Sequence, residues 1–98
     1  MIEIRQTLLF QNWRLRLKDT RIKVAKAKRI VRIQSGNFGD VKYLGEGLSE
    51  LRFDLGPGYR LYFHRRGDVT IILLCVGSKR TQTSDIEKAK KMISELEL

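Results

Sequence analysis

Two runs of alternating apolar and polar residues meet at a Gly-Pro-Gly sequence in the middle of the chain. The first run covers Glu50 to Leu55, and the second covers Tyr59 to His64. Strict alternation is typical of a β-strand with one buried face, and a short Gly/Pro connection joins two such strands as a hairpin. The buried face is predicted to carry Leu51, Phe53, Leu55, Tyr59, Leu61 and Phe63. The opposite face is predicted to carry Glu50, Arg52, Asp54, Arg60, Tyr62 and His64.

The polar face of this hairpin suggests a surface that handles phosphate. A three-residue loop predicts a register in which Arg52 lies across from Tyr62, and Asp54 lies across from Arg60. Arginine and tyrosine side chains are then concentrated on one side of the sheet. Arginine suits phosphate because its planar fork of donors matches the phosphate oxygens and keeps its charge.

Arg60 is the most informative residue of that face. A two-residue turn at Gly67-Asp68 leads into the next strand and sets Arg60 opposite Cys75, near the middle of the sheet. An arginine at the centre of a strand is costly to desolvate unless it is paired or binds a ligand. Two interpretations remain open here: a structural ion pair with Asp54 or Glu50, and a phosphate contact.

The remaining hydrophobic pattern predicts two helices before the hairpin and one after the last strand. Apolar spacing and turn residues predict helices over 6–18 and 20–34 and a third helix from Ser84. They also predict strands over 1–5 and 41–44 and an apolar strand over 69–76. Thr20 is expected to cap the second helix, and Ser84-Asp85-Ile86-Glu87 resembles a capping box. The single cysteine, Cys75, is expected to be buried and inert.

These elements predict an α+β fold in the order β-α-α-β-β-β-β-α, with an antiparallel sheet. The first two helices form a hairpin over the Leu51 face, and the C-terminal helix lies apart from them. The apolar stripe of the second helix is predicted at Val24, Ala27, Ile30 and Val31. That of the last helix is predicted at Ile86, Ala89, Ile93 and Leu96. Trp13 is expected to belong to the core.

Charge and length narrow the class of protein. The chain has 98 residues, which suits a single domain over 1–98, and carries a formal net charge of +9. Ten of its twenty basic residues, but only one acidic residue, lie between Arg5 and Arg32. Nucleic acid, an acidic protein or a membrane surface would attract such a chain, although a solvated helix face would also be basic. With no signal-peptide pattern at 1–10 and no apolar run long enough to span a bilayer, we expect a cytoplasmic protein.

Several short sequences, in this order and spacing, resemble the RelE/ParE toxin superfamily, and specifically the phage-derived, HigB-like addiction-module killer proteins. They are Gly36 to Lys42, Glu50-Leu51-Arg52, Gly56 to Tyr62, Gly77-Ser78-Lys79, and Gln82 followed by Asp85-Ile86. The resemblance extends from Trp13 to Ala89. It implies the toxin of a type II toxin–antitoxin pair, with a small helix-turn-helix antitoxin as its partner. Many members cut mRNA on the translating ribosome.

The resemblance also implies roles for individual residues. Family enzymes carry basic residues on the central strands, matched here by Arg52 and Arg60, and in the loop before the last helix, matched by Lys79 beside Arg80. In cleavage by the RNA 2′-hydroxyl, we expect Arg60 to stabilise the phosphorane and Arg52 to orient the same group. Lys79 would neutralise charge or exchange a proton, and Tyr62 would stack on a base or orient the hydroxyl.

Other basic residues are candidate RNA contacts. Lys23, Lys26 and Arg29 belong to the basic second helix, whereas Lys42 is either an RNA contact or a solvated strand residue. His64 is expected to be an ordinary surface histidine. The chain ends without a tyrosine after Tyr62, which the best-known members use near the C-terminus, so no general base is identified. No metal-ligand spacing occurs, and we expect no metal and no other cofactor.

Two further function classes remain compatible with this pattern. A ParE-like inhibitor of DNA gyrase would share the fold but would use Arg52 and Arg60 for packing or for an interface. A non-catalytic RNA-binding module would use the basic residues for affinity alone. Fold by itself does not separate these from a ribosome-dependent endoribonuclease.

Overall fold

The helices and strands follow one another in the predicted β-α-α-β-β-β-β-α order. The computed structural model describes residues 2–53, 58–68 and 70–96. The elements are β1 (Glu3–Gln6), α1 (Leu8–Arg16), α2 (Thr20–Gln34), β2 (Val41–Gly45), β3 (Leu48–Arg52), β4 (Arg60–Arg66), β5 (Thr70–Gly77) and α3 (Gln82–Leu96), with a 3₁₀ turn at Lys79–Thr81. The α+β class predicted from the sequence is confirmed.

The sheet is mixed rather than wholly antiparallel. Its strand order is β1-β5-β4-β3-β2, and β2 to β5 pair antiparallel with their neighbours. The expectation of an antiparallel sheet is wrong for β1, which pairs parallel to β5 with Glu3 opposite Thr70. The two helices that follow β1 lead the chain to the far edge of the sheet. No hairpin therefore joins β1 to β5, and their relative direction is not constrained to be antiparallel.

Helices cover both faces of the sheet. On one face, Phe10 of α1 and Ile33 of α2 pack with Leu51, Phe53, Leu61 and Phe63. The predicted cover of this face by the first two helices is therefore confirmed, and Trp13 packs at its margin. On the other face, Ala89 and Ile93 of α3 pack with Leu48, Tyr62, Ile72 and Leu74. Because β5 is covered on both sides, its sequence is almost continuously apolar.

A bulge in β5 accounts for one of the two residues by which the register at Arg60 differs from its prediction. Tyr62 pairs with Cys75, but Phe63 pairs with Leu73, which leaves Leu74 as the extra residue. The bulge directs both Leu74 and Cys75 toward α3, where they join the same cluster. Thr7 fixes the start of α1 to this point, since its hydroxyl donates to the Leu74 carbonyl at 2.6 Å and accepts from the Phe10 amide. The sequence pattern missed this anchor.

The β3–β4 hairpin also differs in register from its prediction. Arg52 lies opposite Arg60, and Glu50 lies opposite Tyr62. Phe53 donates its amide to the Tyr59 carbonyl at 3.0 Å, so the connection is longer than the three residues expected from Gly-Pro-Gly. The predicted pairs of Arg52 with Tyr62 and of Arg60 with Cys75 are wrong, and Asp54 lies outside the described residues. Each residue still lies on the face of the sheet that was predicted for it, because the register is shifted by an even number of residues.

The helix ends and the buried side of α2 differ from the sequence pattern as well. Asp19, rather than Thr20, caps α2 and accepts from the Arg21 amide. The C-terminal helical segment begins before Ser84, since Ser78 caps the 3₁₀ turn that leads into α3. On α2, the buried residues are Ile22, Lys26 and Ile33. Of the stripe predicted at Val24, Ala27, Ile30 and Val31, Ile30 packs against the core as expected, whereas the other three residues are exposed.

Candidate functional site

Three basic residues predicted to act on RNA lie at one end of the central strands. Arg52 on β3 pairs with Arg60 on β4, which pairs in turn with Gly77 at the end of β5. Lys79 follows two residues later and lies beside the hairpin connection, since a Cβ added to Gly58 would be 3.4 Å from the Lys79 Cβ. Arg52, Arg60 and Lys79 are called the basic row below. Tight strand pairing therefore positions two of its three cations.

Arg60 has unsatisfied donor capacity. Its side chain is half-buried, and its Nε is buried with no hydrogen-bond partner within residues 2–53, 58–68 and 70–96. A buried guanidinium donor without an acceptor is costly, because the desolvated N–H loses its hydrogen bonds to water. Arg29 Nε is buried without a partner in the same way. Because Arg60 Nε is closed to solvent, an anion would meet the remaining nitrogens of this half-buried guanidinium.

Glu50 is the buried counter-ion of this site. Its carboxylate is wholly buried and accepts from Arg52 Nε at 2.9 Å and from Gln82 Nε2 at 2.8 Å. Burial by itself raises the pKa of Glu50, but these hydrogen bonds and the charges of Arg60 and Arg52 together lower it below its usual value. The carboxylate therefore stays ionised and orients Arg52. Sequence reasoning had offered Glu50 as a partner for Arg60, and no local pattern indicated Gln82.

Tyr62 does not reach solvent in this structure. Its side chain is completely buried beneath α3, in the cluster with Leu74 and Ala89. Its hydroxyl makes no hydrogen bond of normal geometry within the described part of the chain, although the Glu50 carboxylate is near enough to act on it. Burial, then Glu50 and Asp85, raise the pKa of Tyr62. Stacking of Tyr62 on an RNA base is incompatible with this packing, because α3 occupies the space over the ring.

Gly77 allows the segment after β5 to approach the sheet closely. A Cβ added there would lie 1.7 Å from Asp85 Oδ2 and 2.8 Å from Thr81 Oγ1. Asp85 is itself buried and accepts a hydrogen bond from the Thr81 hydroxyl. The 3₁₀ turn that carries Lys79 and Arg80 is thereby held against the end of β5. Both of these side chains are exposed.

Lys42 occupies the edge of the same sheet face. It pairs with Glu50 across β2 and β3, and Glu50 pairs with Tyr62, so the three residues lie in one row on the side facing α3. Unlike the other two, Lys42 is exposed. The structure therefore leaves Lys42 available to a partner at the border of the basic row.

The three candidate contacts on α2 do not form one surface. Lys23 is exposed, but Lys26 is buried, with its Nζ 5.8 Å from the ring centroids of both Phe10 and Trp13. Burial, followed by the nearby charges of Arg14 and Lys23, lowers the pKa of Lys26. Lys26 as an RNA contact stays a prediction, and this burial argues against it. Lys26 lies on the side of α2 that faces α1.

Arg29 is a structural residue. Its Nη1 donates to the Arg52 carbonyl at 2.9 Å, and its Nη2 donates to the carbonyls of Phe38 and Asp40 at 3.1 and 3.2 Å. Its guanidinium also lies 5.1 Å from the centroid of the Phe53 ring. The fork thus ties α2 to the end of β3 and to the loop before β2. Arg29 as an RNA contact stays a prediction, beside this structural role.

His64 is buried, contrary to the expectation of a surface residue. Its Nδ1 lies 2.8 Å from the Gly47 carbonyl, and a Cβ on Gly47 would come within 2.8 Å of the ring. Gly47 has φ +80°, a conformation that favours glycine. His64 therefore supports the β2–β3 turn, at the opposite end of β4 from Arg60.

The rest of the described chain offers little further chemistry. Burial raises the pKa of the Cys75 thiol to about 11, as expected for an inert cysteine. Across residues 2–53, 58–68 and 70–96, no group of three His, Cys, Asp or Glu side chains could hold a metal ion. None of the helices in those ranges is long and apolar enough to cross a bilayer.

Comparison with known proteins identifies a relative but no described activity. No protein-family model matches the chain. A protein of Haemophilus influenzae, described as an uncharacterized protein, is 47% identical over 97 residues, which cover 99% of this chain and 98% of that protein. Identity of this extent over almost the full length of both proteins means that they share one fold. The chain therefore belongs to the same family as this Haemophilus influenzae protein.

Proposed function

We propose that this protein is the toxin of a type II toxin–antitoxin pair, and that it acts as a ribosome-dependent mRNA endoribonuclease with a RelE-like fold. The observation that carries the proposal is the basic row at the end of β3, β4 and β5, in which Arg60 Nε has no acceptor among the described residues. The resemblance of the chain to HigB-like proteins supports the same conclusion. Its partners would be an antitoxin of the helix-turn-helix class, the ribosome and mRNA, in the cytoplasm.

The row fits electrostatic stabilisation of a phosphorane. A guanidinium donor that is already desolvated and oriented stabilises developing charge without reorganising in the reaction. Arg60 would bind the non-bridging oxygens, while Arg52, held by Glu50, would orient the same phosphate. Lys79 is exposed beside them and would neutralise the charge of the leaving strand. The protein would thus supply charge and orientation to attack by the RNA 2′-hydroxyl.

One observation favours the non-enzymatic alternatives. Among the described residues of the site, the candidate proton acceptors are already engaged: both Glu50 oxygens accept hydrogen bonds, and Tyr62 is buried. A ParE-like gyrase inhibitor, or an RNA-binding module, would need no proton acceptor. In either case the basic row would bind a partner without cleaving it.

Inducible expression in a bacterial host separates these functions. The endoribonuclease proposal predicts growth arrest accompanied by new 5′ ends within translated reading frames, mapped by primer extension. It also predicts that a mutated start codon in a reporter mRNA protects that mRNA, because cleavage requires translation. Accumulating DNA breaks with intact mRNA would show gyrase inhibition instead. Growth without arrest, from a soluble and folded protein, would reject the toxin proposal.

A further inference from the structure

The outer face of α2 carries an apolar stripe that is open to solvent. The side chains of Val24 and Val31 are 48% and 63% exposed, and Ala27 between them is also exposed. Their spacings of three and four residues place them along one side of the helix. These are positions that the hydrophobic pattern predicted as core. The buried residues of the helix are Ile22, Lys26 and Ile33, and Ala25 and Ile30 pack against the core cluster.

One hollow borders this stripe and a second lies beside the first, and the two share Lys28 and Arg32. One, of about 360 Å³, is lined by these two side chains together with Ala27 and Val31. The other, of about 310 Å³, is also lined by Ala25, Arg29, Asp40, Arg52 and Phe53, and so extends from α2 to Arg52 of the basic row. Aliphatic side chains and basic side chains therefore lie next to one another over adjacent turns of this helix.

The charge of this surface is not balanced within α2. The helix carries six basic residues and no acidic residue over Thr20–Gln34. Arg21 is paired with Asp19, the residue before the helix, and Arg29 is committed to backbone carbonyls. Lys28 and Arg32 are exposed. A ligand with carboxylates at matching spacing would complement these two cations.

We propose that the outer face of α2 is a docking surface for an acidic, amphipathic helical segment of a partner protein. The apolar residues of the segment would cover Val24, Ala27 and Val31, and its carboxylates would pair with Lys28 and Arg32. The exposed aliphatic side chains favour a protein ligand over RNA. Contact with valine methyl groups does not stabilise an RNA phosphate, whereas recognition of a helix in a groove relies on such apolar contacts. A second copy of this chain, with its net charge of +9, would be repelled.

This surface extends beyond the proposed RNA chemistry and can be tested apart from it. The hollow at Ala27 and Val31 has no lining residue from the basic row, whereas Lys28 and Arg32 also line a hollow with Arg52. The valine substitutions therefore test docking apart from the residues assigned to phosphate, and the charge reversals are read alongside them. Because Val24 and Val31 are exposed, their replacement by serine removes little packing and should leave the fold intact.

A random-peptide display selection against the intact protein, with the Val24→Ser/Val31→Ser variant as the counter-selecting bait, provides the test. The expected binders are rich in Glu and Asp and carry apolar residues three and four positions apart. One such peptide, made synthetically and labelled, is then titrated by fluorescence anisotropy. Its Kd should rise on the order of tenfold or more with Val24→Ser/Val31→Ser and with Lys28→Glu/Arg32→Glu. The control Lys88→Glu/Lys91→Glu makes the same charge change on exposed α3 residues and should have little effect.

Three results of these measurements would contradict docking of an acidic helix on α2. Selection of binders without acidic residues, or of none that distinguish wild type from Val24→Ser/Val31→Ser, would overturn the proposal. So would equal weakening by the α2 and α3 charge reversals, since that result indicates long-range attraction only. Single-stranded RNA and vesicles with anionic lipid are titrated in parallel. Binding of either that depends on Val24 and Val31 as strongly as the peptide does would assign this face to that ligand instead.

Discussion

Arg52 lies directly opposite Arg60 across β3 and β4, and the same buried carboxylate, that of Glu50, acts on both. Glu50 accepts a hydrogen bond from Arg52, and the charge of Arg60 also contributes to lowering its pKa. Two cations at a directly opposed pair would repel each other without this carboxylate. The two arginines therefore give the end of the sheet a positive potential, and the Glu50 carboxylate offsets the repulsion between them. Four predictions follow from this and from neighbouring contacts.

Glu50→Gln should destabilise the fold at neutral pH and flatten its response to acid. Because the folded-state pKa of Glu50 is lowered, its contribution is complete above the unfolded value near 4.5 and is lost as pH falls through the lowered pKa. We expect a loss of about 1–3 kcal/mol in the free energy of unfolding at pH 7, because the hydrogen bond between Arg52 and residue 50 is then no longer assisted by a carboxylate charge. Urea unfolding followed by circular dichroism from pH 3 to pH 7 measures both effects.

The matched control for Glu50 is Glu87→Gln, on the exposed side of α3. Its stability should follow that of wild type at every pH within about 0.5 kcal/mol. Parallel curves for wild type and Glu50→Gln across the acid range would show that Glu50 does not carry the stabilising charge described here.

Lys26→Met should make the protein more stable by about 1 kcal/mol at neutral pH, because it removes a buried charge that has no acidic partner within the described residues. Methionine is flexible enough to keep the contacts with the rings of Phe10 and Trp13. The lowered pKa of Lys26 also means that the unfolded chain binds the proton more tightly. Stability of wild type should therefore gain from a rise in pH between the lowered value and 10.5.

Comparison of Lys26→Met with Lys23→Met isolates the effect of burial. Lys23 is exposed on the same helix, so its replacement should change the unfolding free energy by less than about 0.5 kcal/mol. The pH-dependent gain should disappear in Lys26→Met alone. Equal effects of the two substitutions, or a destabilised Lys26→Met, would contradict the buried position assigned to this lysine.

Gly77→Ala should destabilise the fold by about 1–3 kcal/mol, because the new methyl group would overlap the Asp85 carboxylate. The matched test is a double-mutant cycle with Asp85→Ala. If the overlap is the cause, the double variant should lose about 1 kcal/mol less than the sum of the two single variants. Thermal or urea unfolding of the four proteins gives the coupling energy, and strictly additive losses would count against the close approach of α3 to β5.

Alternation along the chain was sufficient to predict which residues share a face of the hairpin, but not how the strands pair. The faces depend only on residue parity, and Leu51 and Phe53 lie as predicted on the side of α1 and α2. Register depends on the length of the connection and on bulges. The Gly-Pro-Gly sequence does not indicate that the connection begins after Phe53 and ends before Tyr59, the two residues joined by a hydrogen bond. Because β5 is almost wholly apolar, its sequence does not indicate the bulge at Leu74 either.

Long polar side chains account for the errors on α2 and in the candidate site. The pattern counted Lys26 and Arg29 as solvent-facing, yet one packs on aromatic rings and the other donates to three carbonyls. Both residues combine a long aliphatic stem with a charged head, so their burial follows from tertiary partners that the sequence does not display. The same limit applies to Tyr62, whose cover by α3 depends on where the last helix docks.

Arg60 is the residue whose removal should affect mRNA cleavage most. Wild type, Arg60→Ala and the control Arg66→Ala, an exposed arginine on the same strand, are expressed at equal levels, and new 5′ ends in translated mRNAs are quantified by primer extension. Loss of an oriented cation that stabilises the phosphorane should reduce cleavage by roughly 10²–10³-fold in Arg60→Ala. Arg66→Ala should cut as wild type does. Cleavage by a folded Arg60→Ala at the wild-type level would contradict the central claim that this guanidinium stabilises the reacting phosphate.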